Sequence, residues 1–201
     1  MDCFAEMDSD SDSDSEARAL PFADAFEADT STYPYGTLSG MASHVTTQDG
    51  TTRAAIQLAA LSTRDCFIDL GCGVGRVTNL VARTVGCAVV GIDCCEAEVL
   101  QARAAATELP EGSGTAMYVT CDIMEMPAVM ESQGFAPDRL CIYMHLIPKQ
   151  VARQELREML EPWVLRGARV ITSVYHPPYW EPAECDETYN LNLYTSIYKG
   201  M

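Results

Sequence analysis

Phe67-Ile68-Asp69-Leu70-Gly71-Cys72-Gly73-Val74-Gly75-Arg76 is the stretch on which the fold turns. A short apolar run ends in an acid, three glycines follow on alternate positions, and a helix-type sequence begins. That order predicts a buried strand, a tight turn and a helix start. The glycines allow positive φ and let a ligand approach without a Cβ in the way. The helix amides beyond the turn favour an anionic group. Asp69 falls at the carboxyl end of the strand, where open α/β sheets bind ligands. The dinucleotide fingerprint G-x-G-x-x-G is not met, because Arg76 stands where its third glycine would fall.

Outward from this stretch the pattern repeats. Residues 76–85 read as a helix closed by Gly86, and 88–93 as a second buried strand ending in Asp93. A carboxylate at that strand end commonly chelates ribose hydroxyls. Residues 96–106 read as an Ala-rich helix and 110–114 as a loop. A third strand, 117–121, ends at Asp122-Ile123. The fourth strand is 139–144, an amphipathic helix covers 150–160 ahead of Pro162, and the fifth strand is 168–175. Residues 191–198 alternate like a last strand. Upstream, 49–61 has the spacing of an amphipathic helix, with Thr46, Thr47 or Asp49 as candidate N-cap. Strands alternate with helices and then follow one another directly. The expected fold is therefore α/β and Rossmann-like. Its sheet is mostly parallel with helices on both faces, and its C-terminal edge is antiparallel.

Asp69 with Gly71, Gly73 and Gly75 resembles motif I of the class I S-adenosylmethionine (AdoMet) methyltransferases. Within that class the chain, from about residue 46 to 198, is similar to the ATP synthase c-subunit and adenine nucleotide translocase lysine methyltransferase family. Four stretches carry the likeness: Thr46-Thr47-Gln48, motif I with Arg76 after its last glycine, Ile142-Tyr143 through Ile147-Pro148, and Pro178-Tyr179-Trp180-Glu181-Pro182. It departs from the family at Val74, where an acid is usual, and in an acidic N-terminus where animal members carry a membrane or targeting segment. The resemblance implies AdoMet as cofactor. It carries cofactor contacts to Thr47, Asp69, Gly71, Cys72, Gly73, Gly75, Arg76, Asp93, Cys94, Asp122, Ile123 and Tyr143. In this pattern Asp122 binds the adenine amine and Ile123 packs on its ring.

Composition narrows the rest. The 201 residues suit one domain, residues 30–201, behind a tail, residues 1–29. The tail holds ten acids and one base, and its Asp-Ser repeat is too polar to offset the entropy of ordering, so disorder is expected. A formal charge of −16 argues against binding nucleic acid through a general field. Lys149, Arg153 and Arg157 are spaced to share one helix face. Nine cysteines without a framework read as reduced core residues, and with His44, His145 and His176 scattered no metal site is expected. No run approaches the ~20 apolar residues of a membrane helix. The N-terminus lacks the plan of a signal or transit peptide. The expected location is cytoplasmic, with the nucleus as an alternative and no support for mitochondrial targeting. The sequence carries no signal for oligomeric state.

The expected function is AdoMet-dependent methyl transfer to a protein lysine. The alternatives are a small-molecule methyltransferase and a non-catalytic interaction module of the same fold. Tyr143, His145, Tyr175, His176 and Trp180, all near strand ends, are candidates to line an acceptor channel. Of these, Tyr143, His145 and Trp180 are the catalytic candidates: Tyr143 to contact cofactor or acceptor, His145 to pass on a proton, Trp180 to wall the channel. His176-Pro177-Pro178-Tyr179 looks like the Pro-Pro-aromatic motif of amide methyltransferases but follows the fifth strand, not the fourth.

Overall fold

The structure, a computed structural model, describes residues 47–195. The acidic tail, Thr46 and the end of the last expected strand lie outside the described residues. The described chain runs α1 (Asp49–Leu58), β1 (Cys66–Leu70), α2 (Arg76–Val85), β2 (Ala88–Asp93), α3 (Glu96–Ala106), β3 (Ala116–Thr120), α4 (Met126–Gln133), β4 (Leu140–Met144), α5 (Pro148–Val151), α6 (Gln154–Leu165), β5 (Arg169–Ser173), β6 (Glu184–Asp186) and β7 (Leu191–Tyr194). Seven strands form one sheet in the order β3-β2-β1-β4-β5-β7-β6. The first five are parallel, and β7 lies antiparallel to both β5 and β6.

β1 and β4 are buried at every position. Both faces of the sheet are covered, so these strands read as continuous apolar runs and not as alternation. Ile68, Leu70, Val90, Ile92, Ile142 and Met144 pack on one face with Met126 and Met130 of α4 and Leu156, Leu160 and Trp163 of α6. Phe67, Val89, Cys141, Tyr143 and Ile171 pack on the other with Ala54 and Ala55 of α1 and Val77 and Val81 of α2. The chain order reverses between β1 and β4, and that switch point is where such sheets bind ligands.

Several expectations are corrected. α4 has no counterpart in the sequence reading: eight residues with Pro127 at the start and spread methionines give a faint helical period. β6 is likewise missed, being three residues of mostly exposed chain paired on one side. Helix α6 does not stop before Pro162 but runs through it to Leu165. Burial of Leu160 and Trp163 holds that last turn. Arg166 adds to it, its Nε donating to the Pro162 carbonyl at 3.0 Å and its guanidinium lying 4.4 Å over the Trp163 ring. Lys149, Arg153 and Arg157 do not share a helix face, because α5 ends at Val151 and Arg153 is the N-cap of α6. Arg157 pairs with Glu161 at 3.3 Å and Arg153 with Glu155 at 3.5 Å. α1 ends at Leu58, and its N-cap is Gln48 with no side-chain bond, so Thr47 and Asp49 do not cap it.

Candidate functional site

The turn between β1 and α2 is stitched to β2. The amides of Gly71 and Cys72 donate to the Ile92 carbonyl at 2.9 and 3.1 Å. The Gly73 amide donates to Asp93 Oδ2 at 2.9 Å, and the Cys95 amide to Asp93 Oδ1 at 2.8 Å. Asp93 therefore braces the turn from the next strand. Gly75 is the N-cap of α2 with φ 77°. A Cβ there would lie 2.6 Å from the Tyr118 hydroxyl and 2.8 Å from Ala102, so both backbone conformation and packing demand glycine.

Asp69 lies beneath this turn and is 3% exposed. Thr78 Oγ1 on α2 donates to its Oδ2 at 2.8 Å. Burial pushes its pKa up to about 7; the Thr78 bond opposes the rise and the charge of Asp93 adds to it. The structure thus makes Asp69 a tie between β1 and α2 that shapes the glycine turn from below. Cys72 is buried against Tyr118, Val99 and Ala102, a packing position where burial raises its thiol pKa. Cys94 is half-buried, and burial followed by the Asp93 charge pushes it up to about 11. Arg76 is exposed and pairs with Asp49 at 3.4 Å, which pins the start of α1 beside the start of α2. Asp122 caps a 3₁₀ turn, Ile123–Glu125, by accepting from the Met124 amide at 2.9 Å, and Ile123 is buried next to it.

Across the switch point, Thr47 meets two residues from the end of β4 that lie far from it in sequence. Thr47 Oγ1 lies 3.0 Å from His145 Nδ1 and 3.4 Å from the Tyr143 hydroxyl. Tyr143 is 1% exposed and stacks on Phe67 at 5.9 Å between ring centroids. Burial raises its phenol pKa, and the Ser173 and Thr47 hydroxyls pull it part of the way back. Burial alone lowers the pKa of His145, which keeps the imidazole neutral near pH 7.

The exit from β5 carries no signal in the sequence. Val174, a β-branched residue, sits at φ 68° and carries a tight reverse turn in which the Tyr175 amide donates to the Ser173 carbonyl at 2.8 Å. Asn190 holds this turn from both sides. It accepts from the Val174 amide at 3.0 Å through its carbonyl, and its Nδ2 donates to the Val174 carbonyl at 3.1 Å. Its Oδ1 then accepts from His176 Nε2 at 2.9 Å, leaving His176 Nδ1 to accept from Thr172 Oγ1 at 2.6 Å. His176 is thus a clamp between β5 and β7, and Tyr175 is exposed. Trp180 goes elsewhere. It packs on Tyr194 at 5.6 Å, on the face opposite Tyr143, so the structure does not bring it together with Tyr143 and His145.

Residues 67–163, from β1 to α6, match the model of the methyltransferase domain family. The Rossmann-like fold is one that methyltransferases share. No curated protein matches the chain in sequence. Among solved structures the chain is similar to an RNA methyltransferase from Salinibacter ruber in complex with S-adenosyl-L-homocysteine. The TM-score is 0.55 at 21% identity, over 75% of this chain and 91% of that one. It is also similar to magnesium protoporphyrin IX methyltransferase from Synechocystis PCC 6803 with bound S-adenosylhomocysteine. There the TM-score is 0.44 at 21% identity, over 62% of this chain and 54% of that one, so the chain spans about half its length.

The match to a methyltransferase domain implies AdoMet as cofactor, and the residues present fit it. The turn from Gly71 to Gly75 offers a backbone cradle that side chains would fill. The Asp93 carboxylate offers acceptors for a ribose diol and Asp122 an acceptor for an exocyclic amine. Each stands at a strand's carboxyl end. Among the described residues no group of three or more His, Cys, Asp or Glu is placed to hold a metal ion, and no helix is long and apolar enough to cross a membrane.

Proposed function

We propose that this chain methylates the side-chain nitrogen of a protein lysine, using AdoMet. The observation that carries the reading is the meeting of Thr47, Tyr143 and His145 beside the glycine turn, at the switch point of the sheet. The motif likeness to protein-lysine methyltransferases supports it. So does the charge of the chain that leaves β5: Glu181, Glu184, Asp186 and Glu187, with no Lys or Arg between 170 and 195. The tip of that segment packs on the start of α1, where a Cβ on Gly50 would lie 3.1 Å from the Tyr189 ring. Its carboxylates favour approach of a basic segment.

When bound, AdoMet supplies a methyl group on a positively charged sulfur. The protein has to deliver a neutral amine in line with it. A lysine nitrogen has a free pKa of about 10.4 and enters mostly protonated. The apolar walls around Tyr143 and Phe67 disfavour its charged form. With Nδ1–H donating to Thr47, His145 presents a bare Nε2 that accepts a hydrogen bond from the neutral amine. Tyr143 and Thr47 fix the imidazole and the nitrogen, and positioning of this kind supplies much of the rate.

The test is incubation of the purified chain with methyl-tritiated AdoMet and cell extract, followed by mass spectrometry of the labelled fraction. Methyl groups on lysine nitrogens are expected. Label that follows RNA or small molecules and spares protein would overturn the lysine reading. AdoMet binding without any transfer would favour the interaction module.

A further inference from the structure

Ser173 is the last residue of β5, is 1% exposed, and its hydroxyl has no hydrogen-bond partner among the described residues. In register Tyr143 stands opposite Ile171. Ser173 is two positions further on, so it shares the face of Tyr143 at the end where the phenol, Thr47 and His145 gather. It lies near enough to the phenol to affect its titration but makes no well-formed bond with it. A buried hydroxyl left unpaired costs stability, and native chains rarely keep one without a use.

The chain immediately after Ser173 is also costly. A β-branched residue at positive φ is a strained conformation, maintained here by the paired bonds from Asn190. The strand is thus stopped at Ser173, and the hydroxyl is held inside the site. An orphan polar atom and a strained turn, side by side at the acceptor end of the sheet, mark a place where stability is given up for function.

We propose that the Ser173 hydroxyl is a hydrogen-bond acceptor for the nitrogen of the methyl acceptor, a contact that rests on the methyl-transfer reading above. A neutral amine has two N–H groups and one lone pair. The Ser173 oxygen takes one N–H, which leaves the lone pair free and turns it away from β5. The hydroxyl is uncharged, so it does not favour the ammonium form as a carboxylate would.

Ser173→Ala tests this, with Ser173→Thr as the variant that keeps the hydroxyl. Three quantities are read: melting temperature without ligand, S-adenosylhomocysteine affinity by calorimetry, and affinity for n-butylamine, a lysine side-chain probe, by NMR titration at alkaline pH with S-adenosylhomocysteine present. Ser173→Ala is expected to melt at or above the parent, to bind S-adenosylhomocysteine unchanged, and to bind n-butylamine about tenfold more weakly, the loss of one hydrogen bond. Ser173→Thr is expected to recover most of that affinity. A lower melting temperature with unchanged n-butylamine affinity would overturn the proposal and leave a structural hydroxyl. Weaker S-adenosylhomocysteine binding would overturn it in favour of a cofactor contact, and an n-butylamine affinity of zero in the parent would overturn it outright. Label found outside lysine in the extract assay, with n-butylamine still separating the variants, would remove the lysine reading and uphold the Ser173 contact.

Discussion

Asp69 shows how one residue serves a site at a cost to the fold. Its native pKa of about 7 stands against 3.8 for the free group. Between those values the folded chain keeps a proton that the unfolded chain has released. Stability from this group is therefore complete below 3.8 and is lost as pH rises through 7. Asp69→Asn keeps the shape and the Thr78 bond without the charge. It is expected to raise stability at pH 8 by roughly 2–4 kcal/mol, at ~1.4 kcal/mol for each pH unit that separates the two values, with the gain shrinking toward pH 4. Denaturant melts across that range check the sign and the window. Asp93 is different, being partly exposed with both oxygens held by backbone amides. Asp93→Ala is expected to retain the far-ultraviolet circular dichroism of the parent and to lose about tenfold or more in AdoMet affinity, as for charged hydrogen bonds. Unchanged affinity by calorimetry would take Asp93 out of the cofactor site.

At the scale of elements, two local rules are overridden by packing. Pro162 lies inside α6, where its missing N–H leaves the Glu158 carbonyl without its helical donor. The turn persists because Trp163 and Leu160 are buried below it. Pro162→Ala restores the donor and is expected to stabilise the chain by about 1–3 kcal/mol in denaturant melts. No stabilisation would mean that the proline ring itself packs usefully. Gly91 lies mid-strand in β2, where glycine is normally a weakness. A Cβ there would sit 2.5 Å from the Tyr118 ring and 2.8 Å from Cys72 Sγ. Gly91→Ala is expected to cost about 1–3 kcal/mol by overpacking, read from the same melts. The pair β2 and β3 thus meets through Tyr118, whose hydroxyl donates to Asn79 Oδ1 at 2.6 Å and ties β3 to α2.

At the scale of the molecule, charge sets how partners arrive. The formal charge is −16, and Glu181, Glu184, Asp186 and Glu187 of the chain that leaves β5 are part of it. A basic protein acceptor should be drawn in by this field. Its kcat/KM is expected to fall several-fold as salt is raised from ~0.05 to ~0.5 M, since screening shortens from about 14 Å to about 4 Å over that range. A flat salt profile would point to an uncharged acceptor.

The legibility of the chain follows from how local each signal is. The strands β1, β2 and β4 are readable to within a residue, because buried parallel strands are short apolar runs closed by acids and glycines. The helix α4 is hidden by brevity and by Pro127, and β6 by exposure. Thr47 is readable as a polar residue near a helix start, and the resemblance gives it a cofactor contact, yet its meeting with the end of β4 is not readable. It reaches His145 and Tyr143 across 98 and 96 positions. Ser173 looks like any strand residue until its hydroxyl is found buried and unpaired.

The sequence by itself determined the glycine turn proposed to cradle the cofactor. A glycine turn between a buried strand and a helix is specified by neighbours a few residues away, and the acids that follow lie at successive strand ends. Only the tertiary structure decided what gathers around Tyr143. Which hydroxyls share a face depends on strand order and register, and both are set by packing between segments well separated in the chain. The same packing sent Trp180 to the opposite face, stopped β5 at a strained Val174, and left Ser173 waiting for a partner that the described chain does not provide.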